Sequence, residues 1–207
     1  CRQIRWNSLD VGPWPTGEWR APECGFDTGA GFWTLGDIRI CGSGLVDAVA
    51  VGLSTNHVRE DGLVMTANGV MNLCPPVVIT QGDIRELQVA KAAIAAGIQI
   101  LTKDFGASIE DISRIYLAGA FGNYIDRSNA FRIGLLPVPP EKIQPAGNTA
   151  LLGAKLALFQ ANSETFAQIK SIVRHVALNL DEQFQDIFVG EMAFPELPPA
   201  QSIASPE

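Results

Sequence analysis

Apolar residues follow the Ile40-Cys41-Gly42-Ser43-Gly44 turn at helical spacing, from Leu45 through Val46, Val49 and Leu53, and predict a first helix. Asn56 to Asn72 is polar and glycine-punctuated, the pattern of a loop or small hairpin. Val77-Val78-Ile79 is a β-branched run that predicts a short strand. Thr80 followed three residues later by Asp83 marks a helix start. The longest helix runs from there, because Ile84, Leu87, Ala90, Ile94, Ile98, Leu101 and Phe105 recur at three- and four-residue steps, a stripe expected to be its one buried face. Gly97 within it costs about 1 kcal/mol relative to alanine, which implies a packing or bending reason.

Ser108–Asp111 repeats the cap pattern and predicts another helical turn; Arg114 to Ala118 reads as a strand that ends in Gly119-Ala120-Phe121-Gly122-Asn123. Pro137, Pro139, Pro140 and Pro145 enclose a rigid loop, and Gly147-Asn148-Thr149 opens a small-residue helix through Phe159. An amphipathic helix over 163–175, a strand over Val176–Leu180 and a last helix over Asp181–Ala193 complete the pattern. Residues 1–37, which hold all four tryptophans, read as a variable β-rich edge; 38–195 form the main α/β unit and 196–207 a flexible Pro-rich tail.

With 47% hydrophobic and 18% charged residues in 207, a disordered or coiled-coil chain is excluded. The formal net charge of −7 argues against a nucleic-acid partner, and no apolar run reaches the length of a membrane span. Cys1, Cys24, Cys41 and Cys74 form no C-x-x-C pair and lie apart from His57 and His175. They read as free thiols of a cytoplasmic protein, with no metal site in this chain. The chain starts at Cys1 without methionine, signal or transit pattern, so Cys1 is expected to be an interior position of a longer protein.

Three glycine-bearing turns stand at element junctions: Gly42-Ser43-Gly44, Gly119–Asn123 and Gly147-Asn148-Thr149. Such turns either join strands to helices or expose backbone N–H groups to phosphates and nucleosides. Neither a GxxxxGK[ST] loop nor a G-x-G-x-x-G fingerprint is present. Asp47 suits the first turn of a helix by dipole alone, and as a functional group would hold a ribose or a metal-bound water. Arg85, Gln88 and Lys91 share one face of the long helix, either its solvated side or a surface that grips adenine and ribose.

Four segments in order, ICGSGLVDAVAVGL (40–53), ITQGDIRELQVAKAAIAAGIQIL (79–101), IYLAGAFGNYID (115–126) with RIGLLP (132–137), and AGNTALLGAKLAL (146–158), closely resemble the C-terminal domain of the ATP-dependent reductive activators of corrinoid proteins. The resemblance implies an α/β, ribonuclease-H-like lobe of the acetate and sugar kinase, heat-shock ATPase and actin (ASKHA) superfamily, with a mixed sheet flanked by helices. It further implies ATP with Mg2+ as cofactor and a [2Fe–2S] cluster in the parent protein but not in this chain. The implied partner is a corrinoid iron–sulfur protein, with a homodimer as a further possibility, and the implied task is return of a Co(II) corrinoid to Co(I).

Carried over by position, Gly119, Ala120, Phe121, Gly122 and Asn123 resemble the adenosine motif, and Gly42, Ser43, Gly44 and Asp47 the glycine-plus-helix element joining the lobes. Arg85, Gln88 and Lys91 then lie on the helix facing adenine and ribose, and Gly147 and Asn148 start the next cleft helix. Asp27-Thr28-Gly29-Ala30-Gly31 only superficially resembles the superfamily's phosphate turn, since no suitable strand precedes it, and no catalytic residue is assigned. Two alternatives stay open: a non-catalytic dimerisation or docking module for a corrinoid or other low-potential redox partner, and an activator of a different low-potential enzyme.

Overall fold

The computed structural model describes residues 40–74, 77–159 and 164–196. The β-rich edge expected over 1–37, with Cys1 and Cys24, and the tail beyond Glu196 lie outside the described residues. The order is α1 (Gly42–Ser54), β1 (Val70–Cys74), β2 (Val77–Thr80), α2 (Gln81–Asp104), β3 (Ile115–Ala118), α3 (Gly119–Tyr124), α4 (Arg127–Arg132), β4 (Ile143–Gly147), α5 (Thr149–Phe159), α6 (Glu164–Ile172) and α7 (Phe184–Gly190). Single 3-10 turns occupy Pro140–Lys142 and Leu178–Leu180.

The strands form two pairs among the described residues. β1 and β2 are antiparallel, with Met71 opposite Ile79, and bury Met71, Leu73, Val77 and Ile79 on one face while Val78 points out. β3 and β4 are parallel, Ile115 opposite Ile143 and Ala118 opposite Gly147, joined by the crossover through α3, α4 and the proline turn. The core gathers α1 (Val46, Val49, Leu53), the β1–β2 pair, the first turns of α2, and Ile125, Ala130, Ile133, Leu136, Val138 and Ile143. Gly52 lets the following loop close on α1, since a Cβ there would stand 2.8 Å from Val58 Cγ2.

α2 starts as its sequence dictates. Thr80 Oγ1 accepts from the Asp83 N–H while the Asp83 carboxylate accepts from the Thr80 N–H at 2.7 Å, a reciprocal capping box. Its 24 residues rise about 36 Å, long enough to meet β2 at one end and α7 along its side. The reason for Gly97 is Leu178, whose Cδ1 lies 3.3 Å from where a Cβ would be.

Five expectations change. Of the stripe expected to be buried along α2, Ile84 and Leu87 are buried and Ile98 half-buried, whereas Ala90, Ile94, Leu101 and Phe105 are exposed; the buried side runs through Gln88, Lys91, Ala95 and Ile100. Ser108–Asp111 keeps its cap bonds, Ser108 N and Oγ both donating to Asp111 Oδ2, but closes a turn without continuing as a helix. Val176–Leu180 is not a strand: Ala177–Leu180 folds over so that Leu178 seats on Gly97. The last helix is shorter, Phe184–Gly190. The proline-rich loop ends in a strand, β4, which carries Pro145 opposite Leu117, next to a register irregularity and, among the described residues, with its other edge unpaired, places where a strand tolerates proline.

Candidate functional site

The carboxyl ends of the parallel strands β3 and β4 lie side by side, and each ends in a glycine. Gly119 follows β3 with φ +85°, and Gly147, the last residue of β4, has φ +70°. Both are in the left-handed region that favours glycine. A Cβ at either would meet nothing within 4 Å, so both turns face open space. In open α/β sheets, ligands bind outside the carboxyl ends of parallel strands. Phe121, on α3 two residues after Gly119, is half exposed, and Asn123 is exposed. Asn148 caps α5 through its Oδ1, which accepts the Leu151 N–H at 3.0 Å.

Gly122 has a different task. A Cβ there would fall 2.9 Å from the Leu117 carbonyl carbon, so its glycine lets α3 fold back onto β3. The Ala120 backbone belongs to the same short helix. α1 reaches this region through Gly42, where a Cβ would stand 3.3 Å from Phe121 Cε2. Gly44 is buried against Ile40, and the buried Ser43 places its hydroxyl 3.3 Å from Cys41 Sγ. Burial alone would raise the Cys41 thiol, but its bonds to Ser43 and to the first N–H groups of α1 outweigh it and hold the pKa below the usual thiol value. Asp47, half-buried on α1, accepts from Asn129 Nδ2 at 2.9 Å. Burial pushes its carboxyl up, the Asn129 bond pulls it down, and Asp126 adds a like charge.

The polar face of α2 is not a uniformly solvated one. Arg85 is exposed and donates to the Asp61 carbonyl at 2.8 Å and to Gln88 Oε1 at 2.7 Å. Gln88 is 2% exposed; its Nε2 donates to the Met192 and Asp61 carbonyls, and its amide fills the space beneath Gly62, where a Cβ would come within 2.4 Å. Lys91 is 1% exposed, with its ammonium 3.9 Å from Glu191 Oε2 and 5.8 Å from the centre of the Phe194 ring. Burial lowers its pKa and Glu191 partly restores it. Gln88 and Lys91 are therefore already engaged by the chain itself, through the Asp61–Gly62 turn and the 191–194 segment. The structure thus separates the candidates into a glycine cluster at the strand ends (Gly42, Gly119, Phe121, Gly122, Asn123, Gly147, Asn148) and an α2 group (Arg85, Gln88, Lys91).

With this geometry in hand, likeness to known proteins carries weight. A family described as the C-terminal domain of RACo, the ASKHA domain, matches residues 32–202. The chain belongs to this family. The domain is 34% identical over 183 residues to the corrinoid activation enzyme RamQ of Eubacterium limosum, covering 74% of this chain and 31% of that protein. It is 30% identical over 160 residues to the [Co(II) methylated amine-specific corrinoid protein] reductase of Methanosarcina barkeri, covering 76% and 29%. A solved structure, a reductive activator for corrinoid, iron–sulfur protein, superposes with a TM-score of 0.64 at 30% identity over 75% of this chain and 28% of its own. The chain thus spans under a third of the length of these relatives. Family, α/β fold class and resemblance agree with the sequence reading, and membership in ASKHA implies ATP binding.

Several partners in this ASKHA domain escaped the sequence reading. Asn129 was signalled by its spacing from Asp126, an Asx cap in which Asp126 Oδ1 accepts the Asn129 N–H at 2.8 Å, but nothing local ties it to Asp47. Gly62 and Gly134, both at positive φ, mark where turns close over Gln88 and Lys91; a Cβ on Gly134 would lie 2.9 Å from Lys91 Nζ. Among the described residues, no three His, Cys, Asp or Glu gather as a metal-ligand set, and no helix is long and apolar enough to cross a membrane.

Proposed function

We propose that this ASKHA domain is the C-terminal lobe of an ATP-dependent reductive activator that returns Co(II) corrinoid proteins to Co(I), and that it supplies the adenosine side of the ATP cleft. The observation that carries the reading is the pairing of Ala118 with Gly147 in the β3–β4 ladder, which sets two open left-handed glycine turns side by side. Their bare backbones offer N–H and C=O groups and a surface with no side chain in the way, which suits close approach of a nucleoside. Phe121 offers a flat apolar ring at the rim, and α1 buttresses that ring through Gly42.

ATP, when bound, supplies the driving force for an uphill one-electron transfer whose electron comes from a [2Fe–2S] group carried elsewhere in the activator. Mg2+ would be held chiefly by the ATP phosphates, with one or two carboxylates and water completing its shell. The α2 group is proposed as a support behind the cleft: Gln88 and Lys91 hold the 191–194 segment in place, and exposed Arg85 stays available at its edge. The protein partner is a corrinoid protein, as the names of the relatives suggest for those proteins.

The test is ATP titration by calorimetry of the activator that carries this domain. Gly119→Val and Gly147→Val are expected to weaken ATP at least about tenfold, or about 1.4 kcal/mol. Gly106→Val is the control, because Gly106 has the same left-handed backbone (φ +80°) and open surroundings but lies in the turn after α2. Unchanged affinity in the first two, or an equal loss in the control, would refute the assignment. The 207-residue chain alone is expected to show no ATP-dependent Co(II) reduction.

A further inference from the structure

α4 has only six residues, and three of them reach out to other elements. Asn129 Nδ2 donates to Asp47 Oδ1 at 2.9 Å and Arg132 Nη1 to Ser54 Oγ at 2.6 Å, both on α1. Arg127 Nη1 donates to the carbonyl of Ile143, the first residue of β4, at 3.2 Å. Asp47 and Ser54 are seven positions apart, two turns along one line of α1 and about 10 Å of rise. Asn129 and Arg132 are three apart, neighbours on the surface of α4. Two bonds at separate heights fix a helix both along its axis and about it. The apolar contacts between α1 and α4 do not, because hydrophobic attraction has no direction.

The Asp47 bond has no obvious value for stability alone. Its carboxylate is half-buried, burial pushes its pKa up, and Asp126 adds a like charge. An apolar residue would serve packing better there, so the polar pair is best accounted for by the geometry it specifies. The start of α1 supplies the reason for such a geometry. Gly42 lies against Phe121, where a Cβ would stand 3.3 Å from ring atom Cε2, so a slide or turn of α1 moves the seat of that ring.

We infer that α4 is the positioning element of the nucleotide site: Asn129 and Arg132 hold α1 in register, α1 seats Phe121, and Arg127 ties the same frame to β4, which ends in Gly147. Asp47 is then a positioning residue that acts through Asn129, not a group that holds the ribose or a metal-bound water. This rests on the proposed function, which makes Phe121 and Gly147 parts of one nucleotide surface.

The experiment is ATP calorimetry of the activator that carries this domain, read well below each variant's melting temperature. There a purely structural loss leaves the affinity of the folded protein unmoved. Asn129→Ala suits a helix and removes the donor, and is expected to weaken ATP about fivefold. Asp47→Asn/Asn129→Asp exchanges donor and acceptor at constant net charge and is expected to return affinity to within about twofold of wild type. Ser54→Ala, at an exposed position the fold tolerates, breaks the second tie without touching Asp47 and is expected to cost about twofold. Unchanged affinity in both Asn129→Ala and Ser54→Ala overturns the inference. So does an exchanged pair as weak as Asn129→Ala, because the carboxylate is then needed at position 47 itself, as a direct ligand. Gly119→Val and Gly147→Val, run alongside, separate this from the functional reading. Loss in the glycine variants with none in the tie variants leaves the cleft standing and sinks the positioning role; no loss in the glycine variants sinks the cleft.

Discussion

Replacing Lys91 with methionine is expected to leave the domain as stable as before or stabilise it by up to about 2 kcal/mol. Lys91 is the largest fully buried side chain among the described residues, and among these its ammonium has no hydrogen-bond partner, only the 3.9 Å approach to Glu191 and the contact with Phe194. At that distance and an effective dielectric near 20 the attraction is about 4 kcal/mol, and Glu191, 30% exposed, shares its charge with water. Desolvating an ammonium costs several kcal/mol, so attraction and penalty nearly cancel. Methionine keeps the length of the stem among Phe194, Gly134 and Pro195 and removes the charge. Glu191→Gln, in contrast, leaves the cation buried and alone and is expected to destabilise by about 3 kcal/mol. The pH dependence follows from the lowered pKa of Lys91. Its ordinary value is 10.5, so between the folded value and 10.5 the unfolded chain binds more protons and stability rises with pH. That gain is complete above 10.5 and is lost as pH falls through the folded value. Urea melts from pH 7 to 10 on wild type and Lys91→Met measure the difference. A loss above about 2 kcal/mol in Lys91→Met, or a wild-type curve that falls with pH relative to it, would refute the reasoning.

Gly122→Ala presses a methyl to 2.9–3.0 Å from the Leu117 backbone and is expected to cost about 1–3 kcal/mol in urea melts, whereas Gly153→Ala on open α5 is neutral or better. Thr80→Ala removes half of the capping box and is expected to lower stability by about 1 kcal/mol, with faster exchange confined to the first turn of α2. Asp47→Asn keeps an acceptor for Asn129 and removes a half-buried charge. Because the folded pKa of Asp47 is raised, its contribution is full below 3.8 and fades as pH climbs through the folded value; the variant is expected to lack that decline when melts at pH 4 to 7 are compared.

The parts of the fold that were legible in the sequence are those fixed by neighbours a few residues apart. The Thr80–Asp83 box and the helical periodicity of α2 are local and stand as read, but the face that periodicity marked as buried holds only for Ile84 and Leu87, because tertiary partners cover Gln88, Lys91, Ala95 and Ile100 instead. Gly97 announced a close contact without naming Leu178, because helix spacing says nothing about a partner some eighty positions on. β4 was hidden by Pro145, which a strand tolerates only at an edge or beside a register irregularity, and the sequence shows neither. Gln88 and Lys91 were misjudged as surface for the same reason. Their polarity suggests water, but Gln88 is covered by the Asp61 turn, 27 residues before it, and by Met192, 104 residues after it, and Lys91 is met by Gly134, Glu191 and Phe194.

The glycines show how far the same limit reaches into the site. In the sequence Gly42, Gly44, Gly119, Gly122 and Gly147 carry one meaning, a turn beside an α/β element. In space they divide by what a Cβ would meet. Gly44 and Gly122 are pressed on by Ile40 and by the Leu117 backbone, so glycine there serves packing. Gly42 abuts Phe121 and sets the ring's height above α1. Of these five, Gly119 and Gly147 alone combine a left-handed backbone with empty surroundings, so packing requires nothing of their missing side chains beyond the turn itself. A left-handed turn on a surface loop such as Gly106 has both properties too. What sets the pair apart is register: the β3–β4 ladder brings the two turns together at the strand ends, and that juxtaposition is the ground for proposing them as the nucleoside's place.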